Sequence, residues 1–376
     1  MKLTHLSDLH LGKHVNGFSM LEDQKYIIIK ILNIIDDEKP SGVIIAGDIY
    51  DKSIPPTEAV LLFDNFLFEL SKRNMKVFII GGNHDSSERL SFASRLISNS
   101  GIYISPVYNG NAITVKLEDE YGELEVFLLP FIKPTIIKSV FQDEGINTYT
   151  DAVRIAIEHM SINPQSRNII VTHQFVTGSE TCESEEISIG GTDNVDCSVF
   201  EPFDYVALGH LHGPQSVKRN AVRYCGTPLK YSFSEVHHNK SVTVIELKEK
   251  GNIKINAVSL TPKRDLVEIK GRYNELALKE YYSKLNTDDY YHITLTDEED
   301  IPFAIGRLRA IYPNIMKLDY DNKRTRSDSV LAIEKNIEQK TPDELFYQFY
   351  EAQNGSTVSE QQKSYIGELI KSIWEV

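Results

Sequence analysis

The sequence has few of the features that mark disulfide-rich, zinc-finger or membrane proteins. Its 376 residues include three cysteines, Cys182, Cys197 and Cys225, an odd number without C-x-x-C spacing. This argues against a disulfide framework and against a structural zinc site. No apolar run approaches the ~20 residues that span a bilayer, and the N-terminus lacks a basic segment followed by an apolar core. We therefore expect a cytoplasmic protein with buried or incidental thiols.

The sequence also lacks an excess of basic residues. It has 40 Lys and Arg against 54 Asp and Glu, which gives a formal net charge of −14. This balance argues against a broadly basic nucleic-acid-binding surface, although two divalent cations and a local patch could hold a few phosphates. If the chain acts on DNA, we expect weak binding when it is alone and further contacts from a partner.

Residues 1–262 show an alternation of strand and helix patterns. Four runs rich in Val and Ile lack polar alternation, as strands buried on both faces do. These predicted strands are Val43–Ala46, Val77–Ile80, Ile169–Thr172 and Tyr205–Leu208. The predicted helices are Leu21–Asp36, Thr57–Lys72, Glu88–Asn99 and Thr150–Met160. A hairpin around Tyr121-Gly122 and further extended runs after residue 222 indicate a sheet that is mixed or doubled into a sandwich.

Two further regions follow the first. Within residues 263–325, the segment 265–320 reads strand, helix, strand, helix, strand, which predicts a small α+β unit without metal-binding clusters. Residues 326–376 hold a polar linker and two short amphipathic helices. Such helices cannot bury their apolar faces alone. They either pack back on the main domain or form a docking hairpin for a partner, which is the interpretation that we prefer, with Trp374 as a candidate anchor.

Five of the apolar runs end on side chains that bind metals. The clusters are Asp8 and His10; Asp48; Asn83, His84 and Asp85; His173; and His210 and His212. In an open parallel sheet, binding sites lie beyond the carboxyl ends of the strands. The clusters therefore predict a single site and favour a metal-dependent hydrolase. The alternative, that these are scattered core or surface residues, does not account for five clusters at five strand ends.

The chemistry of these side chains indicates two metal ions. Imidazole, carboxylate and amide oxygen without thiolate suit Mn²⁺, Fe²⁺ or Zn²⁺. Two metals about 3.5–4 Å apart can activate a water and clamp a phosphate during in-line displacement. The remaining histidines have no paired ligand at a useful spacing and are expected to be structural or exposed; they are His5, His14, His159, His237, His238 and His292.

One predicted helix is apolar on most of its circumference. Its apolar residues are Val60, Leu61, Leu62, Phe63, Phe66, Leu67, Phe68 and Leu70. Such a helix is either fully buried or shared with another subunit. Because it follows directly on the Asp48 cluster, a homodimer contact here would set the relative position of two active sites.

The order of the clusters, DxH, GD, GNHD, H and GHxH, is similar to that of the calcineurin-like metallophosphoesterases. The longer strings SDLHLGK, GDIYD, GGNHD, ALGHLHGPQ and YCGTPLKYSFSE resemble the nuclease subunits of bacterial SbcCD complexes, relatives of the archaeal and eukaryotic double-strand-break repair nucleases. The resemblance spans residues 4–235. It implies an α/β fold, namely a metallophosphoesterase β-sandwich flanked by helices, with a small α+β capping domain and a C-terminal helical hairpin.

The resemblance also implies a role for each cluster. The residues that would hold one Mn²⁺ are Asp8, His10 and His212, and those for the other are Asn83, His173 and His210, with Asp48 bridging. Mg²⁺, Fe²⁺ or Zn²⁺ are alternative metals. His84 would not bind metal. It would contact the scissile phosphate and assist the leaving 3′ oxygen, oriented by Asp85, while water activated at the metals attacks phosphorus.

The activity implied by the resemblance is that of a Mn²⁺-dependent DNA nuclease in repair and recombination, associated with the nucleoid. It would act as a 3′→5′ exonuclease on duplexes and as an endonuclease on hairpins and single strands. The implied partners are DNA, an SbcC-type SMC-like ATPase bound through the C-terminal helices, and a second copy bound through the helix near Val60–Leu70. Asp51-Lys52 stands where archaeal relatives carry a histidine that matters for exonuclease action, so the balance of the two activities is open.

Two other functions use the same fold. A dimetal phosphoesterase for cyclic nucleotides or phosphomonoesters would share the metal site but would not need the extra domain or the docking helices. A catalytically silent scaffold would have lost ligands, and no ligand is missing from this sequence.

Overall fold

The computed structural model of the chain describes residues 1–142, 145–185, 193–326, 341–354 and 357–374. It divides into two compact units, Met1–Asp265 and Leu266–Val376. Within the described segments, no helix combines the length and the apolarity needed to cross a membrane. The last helix includes Trp374, but the side chain of this candidate anchor lies outside the described part of the molecule.

Two six-stranded sheets form the frame of the first unit. Its strands in chain order are β1 Lys2–Leu6, β2 His14–Val15, β3 Phe18–Ser19, β4 Gly42–Ala46, β5 Lys76–Ile80, β6 Ile102–Ile104, β7 Ile113–Asp119, β8 Gly122–Leu129, β9 Arg167–His173, β10 Phe175–Val176, β11 Asn194–Val195, β12 Tyr205–Gly209, β13 Gln215–Val217, β14 Arg219–Tyr224, β15 Ser241–Leu247 and β16 Ile253–Ser259. One sheet has the order β16-β15-β1-β4-β5-β6 and the other β13-β14-β12-β9-β8-β7. Both are mixed, with parallel strands at their centres. The sequence predicts a sheet that is mixed or doubled into a sandwich, and the first unit shows both features.

Helices cover the outer faces of this frame. They are α1 Leu21–Glu38, α2 Thr57–Lys72, α3 Ser87–Leu90, α4 Ser94–Ile97, α5 Pro134–Phe141 and α6 Tyr149–Glu158, with 3₁₀ turns at Ser98–Ser100, Cys197–Phe200 and Phe233–Glu235. Local sequence sets several of their ends. Helix α6 begins at a capping box in which Thr148 accepts from the amide of Asp151 and the Asp151 carboxylate accepts from the amide of Thr148.

The predicted helix Glu88–Asn99 is wrong as a continuous element. The segment is divided into α3, α4 and a 3₁₀ turn, and Ala93 adopts a left-handed conformation with φ 59° between them. That conformation ends helical hydrogen bonding, and neither glycine nor proline marks the place in the sequence. The break was therefore not visible in the residue pattern.

The main core of the first unit lies between the two sheets. Leu3, Ile44 and Phe78 of one sheet pack with Val126 and Ile169 of the other, and all five are fully buried. A second cluster fills the space between the second sheet and the helices α5 and α6. The strands at the centre are therefore apolar on both faces, which explains why their sequences do not alternate.

Helix α2 is buried on one side only. Phe63, Phe66 and Leu70 face the core, whereas Leu61 is 56% exposed and Phe68 is 57% exposed. Of the two interpretations of this apolar helix, full burial within the chain is thus wrong. An apolar stripe remains on the surface of the first unit.

The second unit contains a three-stranded parallel sheet in the order β17-β18-β19. Its elements are β17 Leu266–Gly271, α7 Tyr273–Leu276, α8 Lys279–Tyr282, β18 Tyr290–Leu295, α9 Ala304–Arg309, β19 Ile315–Tyr320, α10 Lys323–Arg326, α11 Pro342–Asn354 and α12 Glu360–Trp374. The predicted strand–helix alternation is present. Helices α11 and α12 contact each other through Gln362, whose Nε2 donates to the Tyr350 hydroxyl at 3.0 Å.

Candidate dimetal site

The predicted ligands converge from both sheets of the first unit. Asp8 and His10 follow β1, Asp48 follows β4, and the Asn83-His84-Asp85 segment follows β5, three neighbouring parallel strands of one sheet. His173 ends β9 and His210 follows β12, neighbouring parallel strands of the other sheet. A hydrogen bond of 2.8 Å from His173 Nδ1 to the Ala46 carbonyl joins the two edges.

The backbone at this edge is bent sharply. Asp8, His10, Asp48 and His210 all have positive φ, a conformation that costs energy for residues other than glycine. Two glycines, Gly82 and Gly209, allow the neighbouring strand ends to approach each other closely. A Cβ on Gly82 would overlap the Asp48 carboxylate, and one on Gly209 would overlap the Ala46 carbonyl. The strand ends are therefore shaped to bring polar side chains together.

One half of the site is formed by Asp8, His10 and His212. All three are buried, and each offers a ligand atom within 4.8 Å of the others. The Nε2 atoms of His10 and His212 lie 3.2 Å apart. Two ring nitrogens that face each other at this distance in a buried site form a suitable pair of donors for one cation.

The other half is formed by Asn83, His173 and His210. Asn83 Oδ1 lies 3.0 Å from His173 Nε2 and 3.0 Å from His210 Nδ1. Asp48 lies between the halves, with its Oδ2 atom 3.2 Å from His173 Nε2 and 3.8 Å from His10 Nε2. This central carboxylate is placed to be shared by two ions.

The charges at the site follow from burial and from this central carboxylate. Burial keeps the pKa of His10 well below its ordinary value and lowers that of His210 to about 3, so both rings are neutral and offer lone pairs. Burial opposes the charge on His173, but the neighbouring Asp48 outweighs it and raises the pKa of His173 to about 9. His173 must therefore release a proton when it binds a metal, which makes metal affinity pH-dependent.

The donor set fits two divalent cations. It combines imidazoles, carboxylates and an amide oxygen in one buried cluster. Burial, together with the charge of Asp48, raises the pKa of Asp8 to about 6, although His173 and His212 act in the opposite direction. Divalent cations at this place would favour the charged form of the Asp8 carboxylate. The donors favour Mn²⁺, Fe²⁺ or Zn²⁺ over a thiolate-bound structural metal but do not select one of the three.

His84 and Asp85 lie beside the predicted metal ligands, and His84 offers a ring nitrogen within 4.8 Å of a ring nitrogen of His10 and of an oxygen of the Asp48 carboxylate. The ring of His84 is partly exposed, its Nε2 lies 3.9 Å from Asp48 Oδ2, and its Nδ1 lies 3.0 Å from the Asp51 carbonyl. Asp85 accepts hydrogen bonds from the backbone amides of Ile49, Tyr50 and Gly82. Asp85 thus ties the Asp48 loop to the Asn83 loop.

Sequence reasoning did not identify the residues that hold the ligands from behind. Gln24 Nε2 donates to the carbonyl of His10 at 2.7 Å, and the Tyr231 hydroxyl donates to the carbonyl of Leu9 at 2.7 Å. The Glu235 carboxylate lies 3.2 Å from His212 Nδ1. Tyr231 and Glu235 stand in the string YCGTPLKYSFSE, so their position beside a recognised motif was the available signal.

Of the histidines expected to be structural or exposed, several have contacts of that kind. His5 is buried with its Nδ1 3.0 Å from the Tyr205 hydroxyl, and His159 Nδ1 lies 2.9 Å from the Ile155 carbonyl. His14 is exposed near the Gly12 carbonyl. In the second unit, His292 lies between the carboxylates of Glu268 and Asp319.

Comparison with known proteins gives matches along the whole chain. Residues 1–214 match the family model of the calcineurin-like phosphoesterases, and residues 262–354 match the model SbcD_C, described as a type 5 capsule protein repressor C-terminal domain. The chain is 33% identical to the SbcD subunit of the nuclease SbcCD of Staphylococcus epidermidis, over 99% of both chains. It is 33% identical to the protein of that name from Staphylococcus saprophyticus, over 100% of this chain and 99% of the relative.

A solved structure of a dimetal phosphatase from Danio rerio is 12% identical to this chain, with a TM-score of 0.40 over 69% of this chain and 99% of that one. This likeness is too low to support an argument about fold or function.

Proposed function

We propose that the dimetal site of this chain cleaves phosphodiester bonds of DNA. The reason is that the chain belongs to the calcineurin-like phosphoesterases and, within them, to the SbcD family of nuclease subunits. The protein is a metal-dependent hydrolase and the nuclease subunit of an SbcCD-type complex. The single observation that carries this is the convergence of six predicted ligands around a seventh, the Asp48 carboxylate. For the metal we propose two Mn²⁺ ions.

The chemistry can be assigned to the chain's own residues. Asp8, His10 and His212 would hold one ion, Asn83, His173 and His210 the other, and Asp48 would be shared. When bound, the two ions supply positive charge to the phosphate and activate the attacking water. In the reaction, water oxygen bonds to phosphorus, the bond from phosphorus to the leaving oxygen breaks, and that oxygen takes up a proton.

We assign the donation of that proton to His84. A carbonyl oxygen can only accept, so the contact with Asp51 requires a hydrogen on Nδ1. In the imidazolium form of His84, Nε2 carries a second hydrogen on the side of Asp48, and this is the proton that would pass to the leaving oxygen. The ring is partly exposed, which gives a bound phosphate access to it. Asp85 would support His84 by fixing the Asp48 loop and the Asn83 loop, which it joins through the amides of Ile49 and Gly82.

The extent of the family match supports DNA rather than a small phosphoester as substrate. The chain aligns with the SbcD relatives over its full length, including the region after residue 262 that the phosphoesterase chemistry does not need. We propose that residues 1–262 are the nuclease domain, that residues 263–325 are a capping domain for DNA, and that residues 326–376 link to and form the helices that dock an SbcC-type ATPase. Helices α11 and α12 expose Phe349 and Tyr365, apolar surface suited to such a partner.

We also propose that the protein forms a homodimer through α2. The exposed stripe on this helix is continued by Phe92, 83% exposed, and Leu96, 77% exposed. Tyr50, Ile54 and Phe92 border a groove of about 480 Å³ beside α2. An apolar patch of this kind on a soluble protein marks an interaction site.

Replacing Leu61 by aspartate is expected to dissociate this homodimer, because a charge in the centre of an apolar interface loses its hydration without gaining a partner. Sedimentation velocity of the full chain measures the result. Ile29 on α1 is equally exposed at 56%, so Ile29→Asp is the matched control and should leave the dimer intact. A Leu61→Asp protein that still sediments as a dimer would place the interface elsewhere.

The nuclease itself is tested with the purified full chain, alone and with its ATPase partner and ATP. Duplexes labelled at the 3′ or 5′ end and a hairpin are incubated with Mn²⁺, Mg²⁺ or EDTA, with a phosphomonoester as the control substrate. We expect shortening of duplexes from the 3′ end and hairpin opening in Mn²⁺, and neither in EDTA. Hydrolysis of the phosphomonoester alone would overturn the proposal in favour of a small-molecule phosphoesterase.

A further inference from the structure

A buried ion pair lies directly behind one predicted metal ligand. Glu235 is fully buried and Lys240 is 5% exposed, and their Oε2 and Nζ atoms lie 2.5 Å apart. Lys240 Nζ also donates to the Thr227 hydroxyl at 2.6 Å and to the carbonyl of His212 at 2.9 Å. The pair therefore holds both the Glu235 side chain and the His212 backbone in place.

Stability alone gives no reason for this pair. Removing two charges from water is costly, and apolar residues of similar volume are often as stable or more stable at such places. What the pair does provide is a fixed acceptor beside a histidine. Glu235 Oε1 lies 3.2 Å from His212 Nδ1, and no ordinary apolar replacement would offer a lone pair there.

The hydrogen-bond pattern determines which nitrogen of His212 carries hydrogen. The Ser184 hydroxyl lies 2.8 Å from His212 Nδ1 and donates its one hydrogen to Glu235 Oε1 at 2.6 Å. The lone pairs of the Ser184 oxygen, like those of the Glu235 carboxylate, can then only accept a hydrogen bond from His212. Both neighbours of Nδ1 are acceptors, so Nδ1 carries the hydrogen and Nε2 carries the lone pair.

That lone pair points into the site. His212 Nε2 faces His10 Nε2 at 3.2 Å, in the half formed with Asp8. We propose that Glu235 is a positioning residue, which fixes the orientation and the tautomer of His212 for the metal ion held by Asp8, His10 and His212, and that Lys240 keeps Glu235 in place. This inference rests on the proposed metal-dependent function. A carboxylate behind a metal-binding histidine raises its affinity for the metal.

The test replaces the pair by apolar residues, so that neither charge is left unpaired. In Glu235→Leu/Lys240→Met, titration calorimetry of the metal-free protein with Mn²⁺ should show one of two sites weakened by about 10–100-fold and the other unchanged. Glu235→Gln/Lys240→Met keeps an oxygen acceptor for Nδ1 and should recover part of the loss. Thermal unfolding should show that both double variants are folded.

Nitrogen NMR of the metal-free protein, labelled with ¹⁵N in histidine, gives a readout that a purely structural role would not move. His212 should show hydrogen on Nδ1 in the unaltered chain and should lose this preference in the apolar variant. Asp119→Asn is the matched control. It leaves the buried Arg167 without its charged partner, away from the ligands, and should lower stability without changing Mn²⁺ affinity.

Wild-type affinity at both sites of the folded apolar variant would overturn the inference, as would an equal loss of affinity in Asp119→Asn. Because these titrations contain no DNA, they separate the two proposals. A chain that binds two Mn²⁺ ions but cleaves no DNA even with its partner would contradict the proposed function. A nuclease whose apolar variant binds both ions normally would contradict only the role of Glu235.

Discussion

Replacement of His84 by glutamine is expected to slow DNA cleavage by about 10²–10⁴-fold, the usual contribution of a positioned proton donor. Glutamine has nearly the same reach but cannot transfer a proton to the leaving oxygen. His84 is not among the proposed ligands, and its ring lies beside Asp48, at the partly exposed edge of the site. The variant should therefore bind two Mn²⁺ ions with unchanged affinity and remain a dimer.

Single-turnover cleavage of a 3′-labelled duplex, combined with Mn²⁺ titration, measures both parts of this prediction. His159→Gln is the matched control because His159 Nδ1 also lies near a backbone carbonyl, that of Ile155, outside the site. The control should cleave at the normal rate. Rapid cleavage by His84→Gln would exclude proton donation by this residue, and loss of a metal ion would make His84 a ligand instead.

Replacement of Asp48 by asparagine is expected to have the largest effect on metal binding. Loss of a residue that only supports a ligand costs 10–100-fold in affinity, so loss of a shared ligand should weaken each ion by more than about 100-fold. Cleavage should fall below detection at micromolar Mn²⁺. Asn83 and His173 would keep their places but lose the carboxylate between the two halves.

Asp48→Asn should also destabilise the metal-free protein. Asparagine keeps the Oδ1 atom that accepts from the amide of His84 at 3.0 Å, but the change removes the charged partner of the buried His173 ring. Thermal unfolding in EDTA should thus show a lower midpoint near neutral pH. Asp204→Asn, in which a carboxylate accepting from the Asn168 amide is neutralised, is the control and should bind Mn²⁺ normally. Normal affinity in Asp48→Asn would mean that the two ions do not share this residue.

The sequence was sufficient to predict the elements on which the site is built. The strands that precede Asp48, His84, His173 and His210 are apolar on both faces, so their runs are continuous and their ends are clear. Parallel neighbours then bring those ends to one edge, which is a property of topology rather than of any single residue. This is why ligands far apart in the chain could be grouped before their distances were known.

Other parts of the site depend on tertiary contacts that leave no local pattern. The partner of His84 Nδ1 is a backbone carbonyl at Asp51, and any residue type supplies one. Glu235 lies in the 3₁₀ turn Phe233–Glu235, and packing sets the position of this turn relative to His212. The break at Ala93 has the same origin, because a left-handed alanine is imposed by its surroundings rather than by its own preference.

The predicted ligands come from two sheets whose strands are far apart in the chain, and this affects when the site can form during synthesis. His10 leaves the ribosome early, whereas His212, which completes its half of the site, follows 202 positions later. Contacts this distant in sequence form late, after the intervening strands have found their neighbours. A nascent or truncated chain that ends before His212 therefore lacks part of the proposed ligand set. Activity at this site would thus have to await synthesis of the first unit at least as far as His212.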